Sequence, residues 1–82
     1  MINAKEATER AANYLRELVP LASSPILEEV ERSDDGQFWF ITLSYLPGGS
    51  TQFYFPGGKK DYKQFKVNAT SGEIEWMKIR SI

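Results

Sequence analysis

The last third of the chain contains the pattern that most constrains the fold: a strand, a tight turn and a second strand over residues 65–76. Asn68 and Gly72 tolerate the backbone angles that a turn requires. The β-branched and aromatic residues on either side favour a pleated, half-buried surface. We therefore predict a hairpin here, which makes the second half of the chain an antiparallel sheet that the N-terminal segment can cover.

The N-terminal segment has the signals of an amphipathic helix. Asn3 can accept hydrogen bonds from the free N–H groups of a first turn, and Glu6 can reach back to it, which is a capping box. Pro20 ends the helix, because the residue before a proline is pushed out of helical geometry. Between these signals, apolar residues at spacings of three and four form one stripe: Ala4, Ala7, Ala11, Leu15 and Leu18.

Four segments have strand patterns, namely 26–32, 37–45, 61–67 and 73–79. The first is rich in glutamate, which predicts an edge position or a solvated face. The last has apolar residues of both parities, which predicts a bulge or burial on both sides. Ser33, Asp34, Asp35 and Gly36 supply the first turn. The predicted fold class is α+β, with one N-terminal helix packed on a four-stranded antiparallel meander.

The clearest strand, 37–45, has two apolar faces. One face carries Trp39, Ile41, Leu43 and Tyr45, which we assign to the core; the other carries Phe38, Phe40, Thr42 and Ser44. Because one helix covers only one side of a sheet, Phe38 and Phe40 are predicted to lie on the side away from it. They either pack against a long loop or contact a partner.

That loop is marked by two Pro-Gly-Gly sequences, at 47–49 and 56–58, which enclose three consecutive aromatic residues, Phe53, Tyr54 and Phe55. Turn-forming residues on both sides of a short aromatic segment predict a flap or an additional short strand within residues 50–56. The chain has two Trp, four Tyr and five Phe, more than a small core readily hides. The sequence does not distinguish an exposed aromatic patch from a second small core beneath the flap.

Size and composition limit the function. A chain of 82 residues is predicted to form one domain over 1–82. It has no cysteine and no histidine, so disulfides, thiolate chemistry and the usual neutral-pH acid/base group are excluded. We predict a protein that is not an enzyme and has no cofactor and no metal. The polar N-terminus and the lack of a long apolar run predict a cytoplasmic protein with no membrane contact.

The order of these elements resembles the PepSY-like group of small domains, which have the shape of half a cystatin. The matching residues are Lys5, Glu6, the stretch from Ala7 to Tyr14 and Leu15 in the helix, Asp35, Gly36, Trp39, Ile41 and Leu43 around the first turn, and Phe65, Val67, Asn68, Thr70, Gly72, Glu73 and Ile74 at the end. The resemblance implies protein binding or inhibition and brings no catalytic residue. The chain departs from the group in having Asn68 where Asp is usual, in the Pro-Gly-Gly flap and in lacking an export signal.

Two charged groups are further candidates. Glu28, Glu29, Glu31, Asp34 and Asp35 could offer oxygen ligands to a cation, but they lack the spacing of a calcium loop, which favours a plain turn. Lys59, Lys60, Lys63 and Lys66, interleaved with Tyr62 and Phe65, resemble the basic aromatic strips that bind single-stranded nucleic acid. The net charge of −1 favours a solvated lysine face instead.

The charges are also unevenly placed along the chain. Residues 1–40 hold eight acids and four bases, whereas residues 41–82 hold six bases and three acids. A surface polarised in this way can steer a partner or a second copy. We predict a protein-binding, inhibitory or self-associating module, a homodimer included, whose contact residues are Phe38, Phe40, Phe53, Tyr54 and Phe55. The alternatives are nucleic-acid binding through the lysine strip, which is disfavoured, and an immunity protein that neutralises a toxin.

Overall fold

A computed structural model describes residues 1–20, 22, 24–45 and 60–80 of the chain. The elements in chain order are helix α1 (Ala4–Leu18) and strands β1 (Ile26–Arg32), β2 (Phe38–Tyr45), β3 (Asp61–Asn68) and β4 (Ile74–Ile79). The strands form an open antiparallel sheet in the order β1-β2-β3-β4, with the helix packed on one face. This arrangement confirms the predicted α+β class.

Helix α1 begins with the predicted capping box. The Glu6 backbone N–H donates to the Asn3 side chain over 2.8 Å, and the Asn3 backbone N–H donates to the Glu6 carboxylate over 3.0 Å. The stripe of apolar residues is buried at Ala7, Ala11 and Leu15. It does not continue to Leu18, which is 54% exposed. The chain turns after the helix, so Val19 and Ala22 pack on the core there instead.

The two turns are held by side chains of the predicted residues. In the first, the Asp35 carboxylate accepts hydrogen bonds from the Ser33 hydroxyl and the Gln37 backbone N–H over 2.6 and 2.9 Å. In the second, the Asn68 side-chain oxygen accepts from the backbone N–H groups of Thr70 and Ser71. Each turn closes with a glycine at positive φ, +73° at Gly36 and +78° at Gly72. Glycine adopts this conformation without the strain of a Cβ atom.

The core lies between α1 and the middle of the sheet. Ile41, Leu43 and Tyr45 of β2 are buried with Phe65 and Val67 of β3, which confirms the predicted core face. Tyr14 of the helix meets the Phe65 ring edge-on, with ring centroids 6.3 Å apart. Alanines under the first turns of the helix let its axis approach the sheet, while Leu15 and Tyr14 fill the space further along.

Strand β4 contains the predicted irregularity. Trp76 pairs with Lys66 and Ile74 pairs with Val67, so Glu75 is an extra residue in the ladder. The bulge turns Ile74 and Met77 towards the core and Trp76 towards the opposite face. An extra residue inverts the alternation of side chains beyond it, which explains the mixed parity in the sequence.

The predicted flap or extra strand at 50–56, including Phe53, Tyr54 and Phe55, lies outside the described residues. Of the helices described, none combines the length and the apolar character required to cross a bilayer.

Candidate docking face of the sheet

The side of the sheet away from the helix, here called the outer face, carries the two aromatic residues predicted for it. Phe38 and Phe40 alternate along β2 with Trp39 and Ile41, which point to the helix side. Both phenylalanines are half-buried. Within the described residues, no helix or strand packs over this face.

A third ring joins them from β4. Register places Phe40, Lys66 and Trp76 in one row across β2, β3 and β4. The Phe40 and Trp76 rings incline towards each other above Lys66, with centroids 6.2 Å apart and planes at 33°. The bulge at Glu75 makes this contact, because without it Trp76 would point to the helix side.

Two lysines complete the group. The Lys66 amine lies 4.1 Å from the centre of the Phe38 ring, and the Lys78 amine lies 4.5 Å from the centre of the Trp76 ring. An ammonium group at this distance is attracted by the negative face of the ring. We call Phe38, Phe40, Lys66, Trp76 and Lys78 the aromatic–lysine cluster.

The other half of the outer face is polar. Thr42 and Ser44 are buried there, although they belong to the solvent side of β2. Arg80 and Glu29 form an ion pair of 3.2 Å that joins β4 to β1. Since four adjacent strands span about 14 Å, these two side chains extend towards each other over β2 and β3.

The two buried hydroxyl groups of this polar half differ in their hydrogen bonding. The Ser44 hydroxyl donates to the Glu28 carboxylate over 2.6 Å. The Thr42 hydroxyl oxygen is buried and has no hydrogen-bond partner among the described residues. A buried hydroxyl without a partner destabilises the fold by about 1–3 kcal/mol. Because Thr42 and Ser44 are both buried, this half of the face offers little exposed side-chain surface.

The predicted lysine strip is divided by the sheet. Lys63 pairs with Leu43 on the helix side, whereas Lys66 lies on the outer face. Phe65 between them is buried in the core. Lys60 is exposed before the strand begins, and Lys59 lies outside the described residues. Residues three apart in a strand point to opposite faces, so the strip is not one surface.

The acidic residues of β1 and the first turn have separate contacts. Glu28 accepts from Ser44, Glu29 pairs with Arg80, and Asp35 accepts from Ser33 and Gln37. The hydrogen bond from the Ser33 hydroxyl, followed by that from the Gln37 backbone N–H, lowers the pKa of Asp35. In the part of the chain that the structure describes, no group of three acidic side chains is arranged to hold a metal ion.

A shallow groove of about 300 Å³ lies between the helix and the start of β4. It is lined by Arg10, Asn13, Tyr14, Glu17, Gly72 and Ile74. This volume is at the lower end of the range for ligand pockets, and most of the lining is polar. The groove therefore offers less apolar contact than the aromatic–lysine cluster.

Three residues of the outer face were not identified as site residues from sequence, namely Trp76, Lys78 and Arg80. The mixed parity of the last strand was the available signal, because a bulge after Ile74 sends Trp76, Lys78 and Arg80 to the outer face together. The sequence did not indicate at which residue of this strand the bulge lies.

Comparisons with protein-family models, with curated proteins and with solved structures give no match for this chain.

Proposed function

We propose that the protein is a non-enzymatic binding module whose partner is another protein, docked on the aromatic–lysine cluster. The observation that carries the proposal is the convergence of three half-buried rings on a face that no described element covers. Aromatic side chains are enriched among the residues that dominate protein interfaces. The cluster thus offers apolar area at its centre and two ammonium groups for carboxylates of the partner.

The lysine amines that lie over the aromatic rings favour a protein partner over single-stranded nucleic acid. Bases bind to such platforms by stacking on open ring faces. Here the lysine amines of the chain itself lie over Phe38 and Trp76. The division of Lys63 and Lys66 between the two faces also removes the continuous basic track that a nucleic-acid backbone follows. The PepSY-like resemblance, which implies protein binding or inhibition, supports the same choice.

The test compares Phe40→Ser and Trp76→Ser with Ile79→Ser, a matched loss of an apolar side chain that is 78% exposed on the helix side. Proteins retained by the immobilised wild-type chain are identified, and the Kd of each purified candidate is measured with all variants. For a partner that docks here we expect Phe40→Ser and Trp76→Ser to weaken binding by about 30-fold or more, as for interface hot spots. Ile79→Ser should leave the Kd unchanged.

Circular dichroism melts verify that each variant is folded. A partner that binds the two cluster variants as tightly as the wild type would contradict the proposal. Sedimentation of the wild type alone identifies the case in which the partner is a second copy. Serine variants of Phe53 and Phe55 test separately whether the predicted flap contributes to the same contact.

Nucleic acid remains the second candidate, because two lysine amines lie beside the rings. For it we would expect a single-stranded oligonucleotide to bind with an affinity that falls steeply with salt. Lys66→Glu and Lys78→Glu would then abolish binding, whereas Lys5→Glu on the helix would not. Salt-insensitive or undetectable retention of the oligonucleotide rejects this candidate.

A further inference from the structure

Strand β1 forms one border of the sheet and pairs only with β2 within the described part of the chain. All seven of its residues are exposed. The backbone groups on its free side are therefore available to hydrogen-bond with an added strand. Addition of an extended segment to such an edge is a recurring mode of peptide recognition.

The helix covers the centre of the sheet better than this border. Leu27 and Val30 of β1 point to the same side as their partners Leu43 and Ile41, which are buried. One strand further out, Leu27 and Val30 are 45% and 40% exposed. An added strand would bury this apolar surface with aliphatic side chains on its helix side.

The opposite side of the same strand is acidic. Beyond the bulge at Glu28, the side chains that share the outer face with Thr42 and Phe40 are Glu29 and Glu31. Arg32, the basic residue of the strand, is turned back onto its own chain, where it donates to the Gly36 carbonyl and lies over the Trp39 ring. Glu29 is paired with Arg80 over 3.2 Å, whereas Glu31 has no ion pair among the described residues, so Glu31 is the carboxylate that this edge offers to a cation.

We infer that the β1 edge binds an extended segment of another protein in which lysine or arginine alternates with aliphatic residues. Alternation places the aliphatic side chains beside Leu27 and Val30 and the cations on the outer face, where one lies beside Glu31 and another can share the Glu29 carboxylate with Arg80. A second copy of this chain fits less well. When two β1 strands pair antiparallel in the register centred on Val30, with both helices on one side, Glu31 lies opposite Glu29 of the second copy, and like charges opposite each other are destabilising.

This inference is independent of the aromatic–lysine cluster and is tested with different residues. The probe is a fluorescent, end-capped peptide of about eight residues that alternates lysine and valine. Its binding to the full chain is measured by anisotropy. A peptide of the same composition with its lysines and valines in two blocks is the control for net charge. We expect the alternating peptide to bind at least about tenfold more tightly than the block peptide, because only it satisfies both sides of the edge.

Two variants locate the contact. Val30→Lys puts an inward-pointing charge on the edge, a known protection against strand addition, and should weaken peptide binding by about tenfold or more. Glu31→Gln should weaken it by about two- to fivefold, the range for one cross-strand charge pair. The matched controls are Ile79→Lys on the opposite edge strand and Glu9→Gln on the helix, both of which should bind like the wild type.

Three outcomes would overturn the inference. Equal binding of the alternating and block peptides, or none by either, would remove the edge as a specific site. A dimer in sedimentation that Val30→Lys dissociates would assign the edge to a second copy. Slow hydrogen exchange, in the free monomer, of the β1 amides that do not pair with β2 would show that the same chain already occupies the edge.

Discussion

At the scale of single residues, side-chain oxygens determine where the chain reverses. Asp35 and Asn68 each accept hydrogen bonds from backbone N–H groups that follow them in the chain, and each thereby stabilises a turn. Each turn also contains a glycine at positive φ after that residue. Such local contacts compete with strand pairing and thereby end the strands. They were predictable from sequence, because both partners of each bond lie within three residues.

Asp35 should make stability depend on acid pH. Hydrogen bonds from Ser33 and Gln37 lower its pKa below the ordinary value of 3.8. A group with a depressed folded pKa stabilises the fold above its unfolded pKa, and that contribution is lost as the pH falls through the folded value. The wild type should therefore exceed Asp35→Asn in free energy of unfolding at neutral pH, with the difference shrinking below about pH 4.

Urea denaturation of both proteins across this range measures the difference. Asp34→Asn is the matched control, since the Asp34 carboxylate, next to Asp35 in the chain, accepts no hydrogen bond within the described residues. A difference between wild type and Asp35→Asn that is the same at pH 3 and pH 7 would show that the charge of Asp35 does not stabilise the turn.

At the scale of elements, apolar residues at every second position identified the strands, and apolar residues at spacings of three and four identified the helix. The helix begins at Ala4, directly after the predicted cap Asn3, the bounds of β1 agree with the structure, and the other strands differ by about one residue. The extent of the buried stripe was less predictable. Leu18 continues the helical spacing but is exposed, because packing depends on where the chain turns after the helix.

The capping box gives a prediction for the helix. Asn3→Ala removes the acceptor for the Glu6 backbone N–H and should lower the free energy of unfolding by about 1 kcal/mol. For a chain of this size that corresponds to a Tm lower by about 4–8 °C in a thermal melt. Asn3→Ser should retain most of the stability, since serine caps as well as asparagine. Equal losses for both substitutions would mean that the cap is not the cause.

At the scale of the whole molecule, the distance between helix and sheet is set by small side chains. Ala7 and Ala11 are fully buried against a layer formed by Ile41, Phe65 and Val67. The helix lies over the middle of the sheet, so β1 remains exposed at its border. The binding surfaces proposed here are those that this two-layer arrangement leaves open.

A larger side chain in the contact between the helix and the sheet should separate these two layers. Ala11→Leu forces extra volume into a packed contact and should destabilise the fold by about 1–3 kcal/mol. Glu9→Leu adds an apolar side chain of the same size on the exposed side of the helix and should change stability by less than about 0.5 kcal/mol. Chemical denaturation compares the two. An unchanged stability of Ala11→Leu would show that the helix is free to move away from the sheet.

The sequence by itself determined the kinds of element, their order, the cap, the turns and which face of β2 enters the core, because each depends on neighbours within a few residues. Tertiary structure decided which distant side chains meet. Phe40 reaches Trp76 and Glu29 reaches Arg80 only because pairing register and the extra residue at Glu75 bring separate strands into line. A shift of one residue in a strand reverses every side chain beyond it, so the position of a bulge decides which residues share a face.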